Sequence, residues 1–103
     1  MATREPAPAA GSVRLPARID HTLLRPEADE RAVRDLLDEA RTWGLAAAVV
    51  LPRWVRLAAR ELEGSGVAAC TVVGFPLGHE LPATLERAAS AACASGAGEI
   101  DMV

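Results

Sequence analysis

The chain has 103 residues, half of them hydrophobic and 3% aromatic, with a formal net charge of −3 at pH 7. That length suits one small domain with a core of Ala, Val and Leu, and the mild acidity removes the electrostatic case for nucleic acid or an anionic membrane as partner. The longest apolar run, Leu45 to Leu51, is far short of the roughly 20 residues of a spanning helix, and MATREPAPAAGS at the N-terminus has no signal-peptide core.

Residues 1–17 are rich in Ala and Pro, have no apolar period, and read as a flexible leader. The first strand is expected over Ile19–Leu24 and ends before Pro26. Asp29 is placed to cap a helix whose apolar face is Val33, Leu36, Leu37 and Ala40, and Gly44 to close it. Leu45–Leu51 does not alternate, which predicts a strand buried on both faces. Pro52 stops it, and a second helix follows with Val55, Ala58, Ala59 and Leu62 on one side. A third strand, Val67–Val73, leads into the loop GFPLGHE. Pro82 suits the first turn of a third helix, with Leu85, Ala88, Ala89 and Cys93 as its face, before a fourth strand opens in EIDMV.

This β-α-β-α-β-α-β order implies right-handed crossovers and a parallel sheet. The fold class is α/β, and two architectures compete. By length alone an open four-stranded sheet fits better, whereas four strands are half of a (β/α)8 barrel. In either, chemistry gathers at the C-terminal ends of the strands, which here hold Asp20, Thr22 and Leu24, Val49 to Pro52, Gly74 to His79, and Asp101.

Asp101 is the sharpest candidate, an acid in an apolar strand with the parity of Glu99 and Val103. The bland alternative is a carboxylate paired with an arginine or capping a backbone amide. Asp20 is the second such acid, and in a barrel interior the two suit a proton relay. The loop GFPLG lets backbone approach a ligand or is a plain turn; it lacks the Gly-Lys-Ser/Thr ending of a phosphate loop, and no G-x-G-x-x-G follows the first strand. His79-Glu80 fails the zincin pattern because position 83 is alanine, so His79 reads as a surface histidine and His21 as structural. Cys70 and Cys93 are too few for a disulfide framework or a zinc site and read as small core residues; a reduced, cytoplasmic setting follows. Trp43 and Trp54 read as helix–sheet packing, and Arg53 as a solvated charge. All eleven basic residues are arginine, so no side chain can form an imine with a carbonyl substrate.

Four stretches in order, IDHTLLRPEA (19–28), VVLPRWVRLAARELEGSGV (49–67), TVVGFPLG (71–78) and GAGEIDMV (96–103), together resemble the N-terminal part of the deoxyribose-phosphate aldolases. The resemblance implies a class I aldolase on a (β/α)8 barrel, with residues 18–103 as about half of it. It implies reversible cleavage of 2-deoxy-D-ribose 5-phosphate to glyceraldehyde 3-phosphate and acetaldehyde through a lysine Schiff base, within deoxyribonucleotide catabolism. No metal or organic cofactor is implied; the partner is the small-molecule substrate, and a homodimer is the assembly considered for the full-length enzyme. Asp101 matches the family's proton-transfer aspartate. Asp20 and Thr22 match residues near the substrate hydroxyls, and Leu24 and Phe75 match apolar walls of the pocket. Val49 matches a position that is often cysteine. The family's lysines and phosphate-binding loops belong to later strands, so the 103-residue chain alone is expected to be inactive. The rival readings are a non-catalytic half-barrel remnant and a small open-sheet module that binds a sugar phosphate.

Overall fold

The computed structural model describes residues 14–103. Most of the expected leader therefore lies outside the described residues, and its end enters a 3-10 turn at Leu15–Arg18. Strand β1 (Asp20–Leu23) follows, then helix α1 (Glu30–Trp43), strand β2 (Ala47–Val50), helix α2 (Val55–Glu61), strand β3 (Ala68–Val73), helix α3 (Pro82–Ala94) and strand β4 (Glu99–Met102).

Local chemistry sets these boundaries. The Asp29 carboxylate accepts the Ala32 N–H at 2.9 Å, which satisfies one of the free donors at the start of α1. Gly44 ends the helix in the left-handed region at φ +60°, its N–H returning to the Ala40 and Arg41 carbonyls. Between these caps Val33, Leu36, Leu37 and Ala40 are buried, one residue per turn or adjacent turn on a single stripe. On the outer side Arg34 donates to Glu30 at 3.1 Å and to Glu61 at 2.7 Å. Arg41 donates to the Glu61 carbonyl at 2.8 Å and pairs with Asp38. The two bonds to Glu61 tie α1 to α2, though exposed ion pairs of this kind contribute only a few tenths of a kcal/mol each. Pro52 stops β2 by opening a 3-10 turn over Pro52–Trp54 that runs into α2.

All four strands are parallel in the order β1-β2-β3-β4. One face of the sheet carries the main core, where Leu37, Val33 and Ala40 meet Ala48, Val50, Val55, Ala58 and Ala69. The other face carries a smaller cluster of Ala47, Val49, Cys70 and Val72, with Leu24, Leu51 and Ala68 packed against it. Every residue of β2 is buried, as its unbroken apolar run predicts. A sequential parallel sheet with all described helices on one side is the arrangement of a partial (β/α)8 barrel, in which the second face is the interior. A doubly wound sheet would carry helices on both faces.

One polar side chain is fully buried in the helix-side layer. Thr71 is 0% exposed and its hydroxyl donates to the Val50 carbonyl at 2.7 Å. A Thr71→Val substitution keeps the shape and leaves that carbonyl short of a partner. It is expected to lower stability by about 1–3 kcal/mol, read as a lower urea midpoint with an unchanged slope; an unaltered midpoint would show that the bond contributes nothing net.

Two packing expectations are corrected. Cys93 is exposed rather than part of the core. Helix α3 lies over the edge strand β4 and buries only Ala92 fully; its Leu85, Ala89 and Cys93 side line an open apolar groove of about 610 Å³ with Pro82 and Met102. Trp43 is 64% exposed and lines a surface groove with Pro16 and Gly44 instead of packing on the sheet. The reason is length: a helix of 14 residues rises about 21 Å, whereas a strand of four covers about 13 Å, so the last turn of α1 overhangs. Trp54 does pack against the helix-side core, with the Arg53 guanidinium stacked 4.6 Å from its ring centre.

Candidate active site

Strand parity decides which side chains reach the inner face. In β1 the inner positions are Asp20 and Thr22, with Leu24 just beyond the strand; His21 and Leu23 face the helices. His21 accordingly meets Glu39 of α1 at 2.8 Å, the structural role expected of it. Register then aligns Thr22 with Val49, Val49 with Cys70 and Cys70 with Glu99, so these four form one inward row across the sheet. The next inward row toward the C-terminal ends pairs Val72 with Asp101. Asp101 therefore stands where parallel α/β sheets do their chemistry, one row above Glu99 on the same strand.

Asp20, Glu99 and Asp101 make this face acidic, and none of the described strands carries an arginine. Asp20 and Asp101 share the face, but β2 and β3 lie between them, on the order of 14 Å along the sheet. The structure does not set the two acids of the anticipated relay side by side. Thr22 turns its hydroxyl to the Asp20 carbonyl at 3.1 Å. Val49 is buried in the inner cluster and Leu24 packs against it. Phe75 sits on the loop above and is 44% exposed, outside that cluster.

The loop itself is tight. Gly78 N–H returns to the Gly74 carbonyl at 2.8 Å, and Val103 N–H extends β4 by bonding the Val73 carbonyl at 3.0 Å. The GFPLG loop thus folds against the end of β4, which places it directly beyond Asp101. His79, as expected, is exposed on this loop.

Sequence reasoning passed over one member of the face. Cys70 is fully buried, yet it points among the three carboxylates rather than into the helix-side core. The signal was present in its parity with Ala68 and Val72; its alignment with Glu99 came only with the strand register. Burial first, and then the charges of Asp101, Glu99 and Asp20, push its thiol up from 9.0 to about 11. The linkage has a definite sign. Below pH 9 folded and unfolded states both keep the proton, and the contribution to stability is fully present. Between about 9 and 11 the unfolded chain loses its proton first, so stability falls with rising pH. The chain has no lysine and no tyrosine to lose protons in that window. Urea midpoints are expected to drop from pH 8.5 to 11 in the parent and to stay flatter in Cys70→Ala; an equally steep fall in the variant would remove Cys70 as the cause.

Among the described residues no cluster of three His, Cys, Asp or Glu side chains is arranged to hold a metal ion, and no helix is long and apolar enough to cross a membrane. What the face offers is a set of carboxylates at the mouth of a partial barrel, apolar walls beside them, and a glycine-bounded loop above. That is the face, and the end of it, on which (β/α)8 barrels carry their active sites.

Comparison with known proteins narrows the class. No family model matches the chain. A deoxyribose-phosphate aldolase of Mesomycoplasma hyopneumoniae (strain J) is 45% identical over 85 residues, covering 82% of this chain and 38% of that protein. One of Bacillus subtilis is 46% identical over 85 residues, with the same shares of 82% and 38%. The structure of the Aeropyrum pernix deoxyribose-phosphate aldolase, described as a unique tetramer, superposes with a TM-score of 0.78 at 38% identity, covering 84% of this chain and 37% of that one. Over four fifths of its length the chain is similar to deoxyribose-phosphate aldolases, and it spans about two fifths of the length of the curated relatives it matches. The architecture inferred from sequence, part of a (β/α)8 barrel, is the one observed.

Proposed function

We propose that residues 18–103 form the N-terminal half of a deoxyribose-phosphate aldolase barrel. The whole enzyme would cleave 2-deoxy-D-ribose 5-phosphate reversibly to glyceraldehyde 3-phosphate and acetaldehyde. The observation that carries this reading is Asp101, an acid at the C-terminal end of a barrel strand, in a chain 45% identical to such an aldolase over 82% of its length.

In this reading Asp101 moves protons, through water, around the carbinolamine and imine steps. Asp20 and Thr22 lie toward the substrate hydroxyls, while Leu24, Val49 and Phe75 wall the pocket. The imine itself needs an amine, and the sequence contains no lysine. Turnover therefore depends on a lysine supplied by further barrel strands, and the 103-residue chain by itself has none. Two unpaired thiols, Cys70 and Cys93, are consistent with a reduced, cytoplasmic setting.

The test is a chimera. Residues 18–103 replace the matching segment of the Bacillus subtilis aldolase, and cleavage of deoxyribose 5-phosphate is followed by coupled assay. A folded chimera with aldolase turnover is the expected result. A folded chimera that forms its lysine imine but never releases acetaldehyde would overturn the roles assigned to this half.

A further inference from the structure

We infer that two copies of the 103-residue chain join head to tail, the outer edge of β4 in each pairing with the outer edge of β1 in the other, so that two half-barrels close one eight-stranded barrel. The inference goes beyond the aldolase reading: it uses the shape of the partial barrel and none of its chemistry. Among the described residues β1 pairs only with β2 and β4 only with β3, so each outer strand leaves a row of backbone donors and acceptors unmet by a strand. Four parallel strands in sequential order are half of the set that closes a (β/α)8 barrel. A second copy, rotated by half a turn about the barrel axis, meets both edges at once and keeps every strand parallel. The assembly then stops, because the symmetry is closed.

The side chains divide between the same two edges. The large apolar side chains left exposed lie beside β1, at Leu15, Ile19 and Trp43, or beside β4, at Met102, Val103 and the loop 75–81 that folds against them. Apolar patches of this kind mark interaction surfaces. Ile19 has the parity of His21 and Met102 that of Ile100, so both belong to the helix side of their strands and meet in the outer layer of a β4–β1 seam. Next to Met102 lies the open groove of about 610 Å³ over Leu85, Ala89 and Cys93. The partner's 3-10 turn, which leads directly into its β1, is the element that falls across this groove. Charge selects the pairing. The β4 side is acidic, with exposed Glu86 on the groove and Glu99 and Asp101 on the strand. The β1 side sets Arg14, Arg18 and Arg25 against Asp20 and Glu27 and is net positive. Two β4 edges would put acid against acid, whereas β4 on β1 joins opposite signs. On the inner face the seam brings Asp20 of the partner subunit onto the strand beside Asp101, which no pairing within one copy does.

The experiment follows mass, not turnover, so its failure is distinct from a failure of the aldolase reading. Sedimentation equilibrium of the 103-residue chain is expected to reach twice its 10.8 kDa and go no higher. Ile19→Lys and Met102→Glu each place a charge at an exposed edge position and are each expected to raise the dimer Kd by about tenfold or more, the cost of burying it unpaired. An equimolar mixture of the two is expected to regain dimers. One seam is then parental, and the other sets the introduced lysine against the introduced glutamate. A second measurement needs no variant. Cys93 is the exposed thiol and lines the groove, while Cys70 is buried, so labelling of Cys93 by DTNB is expected to slow as the protein is concentrated through the Kd. A monomer at every concentration overturns the proposal, as do open-ended aggregates. A dimer indifferent to Ile19→Lys would pair β4 with β4 and overturns it too. Should the variants fail to fold, a Cys93 labelling rate that does not change with concentration has the same force.

Discussion

Incubated with 2-deoxy-D-ribose 5-phosphate and borohydride, the purified 103-residue chain is expected to show no reduced imine on any residue from 14 to 103, and no glyceraldehyde 3-phosphate above the uncatalysed rate. The argument is elementary chemistry. Imine formation needs an uncharged amine, and every basic side chain in the sequence is an arginine, whose guanidinium stays protonated. Carboxylates at the mouth of the sheet can move protons but cannot supply the covalent electron sink. The complementary expectation concerns the chimera described above. There Asp101→Asn should lower kcat by about 10²–10⁴-fold, the usual range for loss of a general acid–base group, while imine trapping by borohydride persists. Turnover by the 103-residue chain itself would show that the activity has another chemical basis. An Asp101→Asn chimera with parental kcat would remove Asp101 from the mechanism.

The second large effect is on stability and falls on Gly74. This residue ends the third strand at φ +74°, where a Cβ is strained, and an added Cβ would lie 2.8 Å from the Leu85 side chain and 2.9 Å from the Val103 carbonyl oxygen. Two penalties therefore add in Gly74→Ala. Left-handed backbone costs about 1–2 kcal/mol for a residue with a side chain, and overpacking costs about 1–3 kcal/mol more. Leu85 can shift, but the Val103 carbonyl belongs to backbone held by the Val103–Val73 hydrogen bond at 3.0 Å. The expected loss is about 2–5 kcal/mol, enough to unfold a marginal domain, and is measurable as a fall in urea midpoint or as loss of soluble protein. By contrast Gly44→Ala meets nothing within 4 Å at φ +60° and should show the backbone penalty alone. Equal effects at the two positions would mean that the close contacts at Gly74 relax freely.

Much of the molecule was legible from the order of its residues because the signals are local. Asp29 and Gly44 cap α1 as their chemistry dictates, and the stripe Val33, Leu36, Leu37 and Ala40 is the buried one. Proline placement fixed the end of β2 and the start of α3. The alternation of strand and helix predicted a parallel sheet, and its four strands pair in sequential order. Where local pattern failed, the deciding quantity was an element's position rather than its composition. Cys93 and Trp43 have core-like spacing on their helices, but one helix lies at the sheet's edge and the other overhangs its end.

The functional face divides in the same way. The sequence by itself determined that Asp101 and Asp20 are acids set in apolar strands and that no lysine is present, since each is a matter of residue identity and near-neighbour spacing. Only the tertiary structure decided that Asp20 and Asp101 stand with two strands between them, that Cys70 rather than Asp20 lies diagonally beside Asp101, and that the loop closes against Val103. Those relations are set by strand register. Register is settled by the collective packing of the helix layer on the sheet, which no single stretch of the chain encodes.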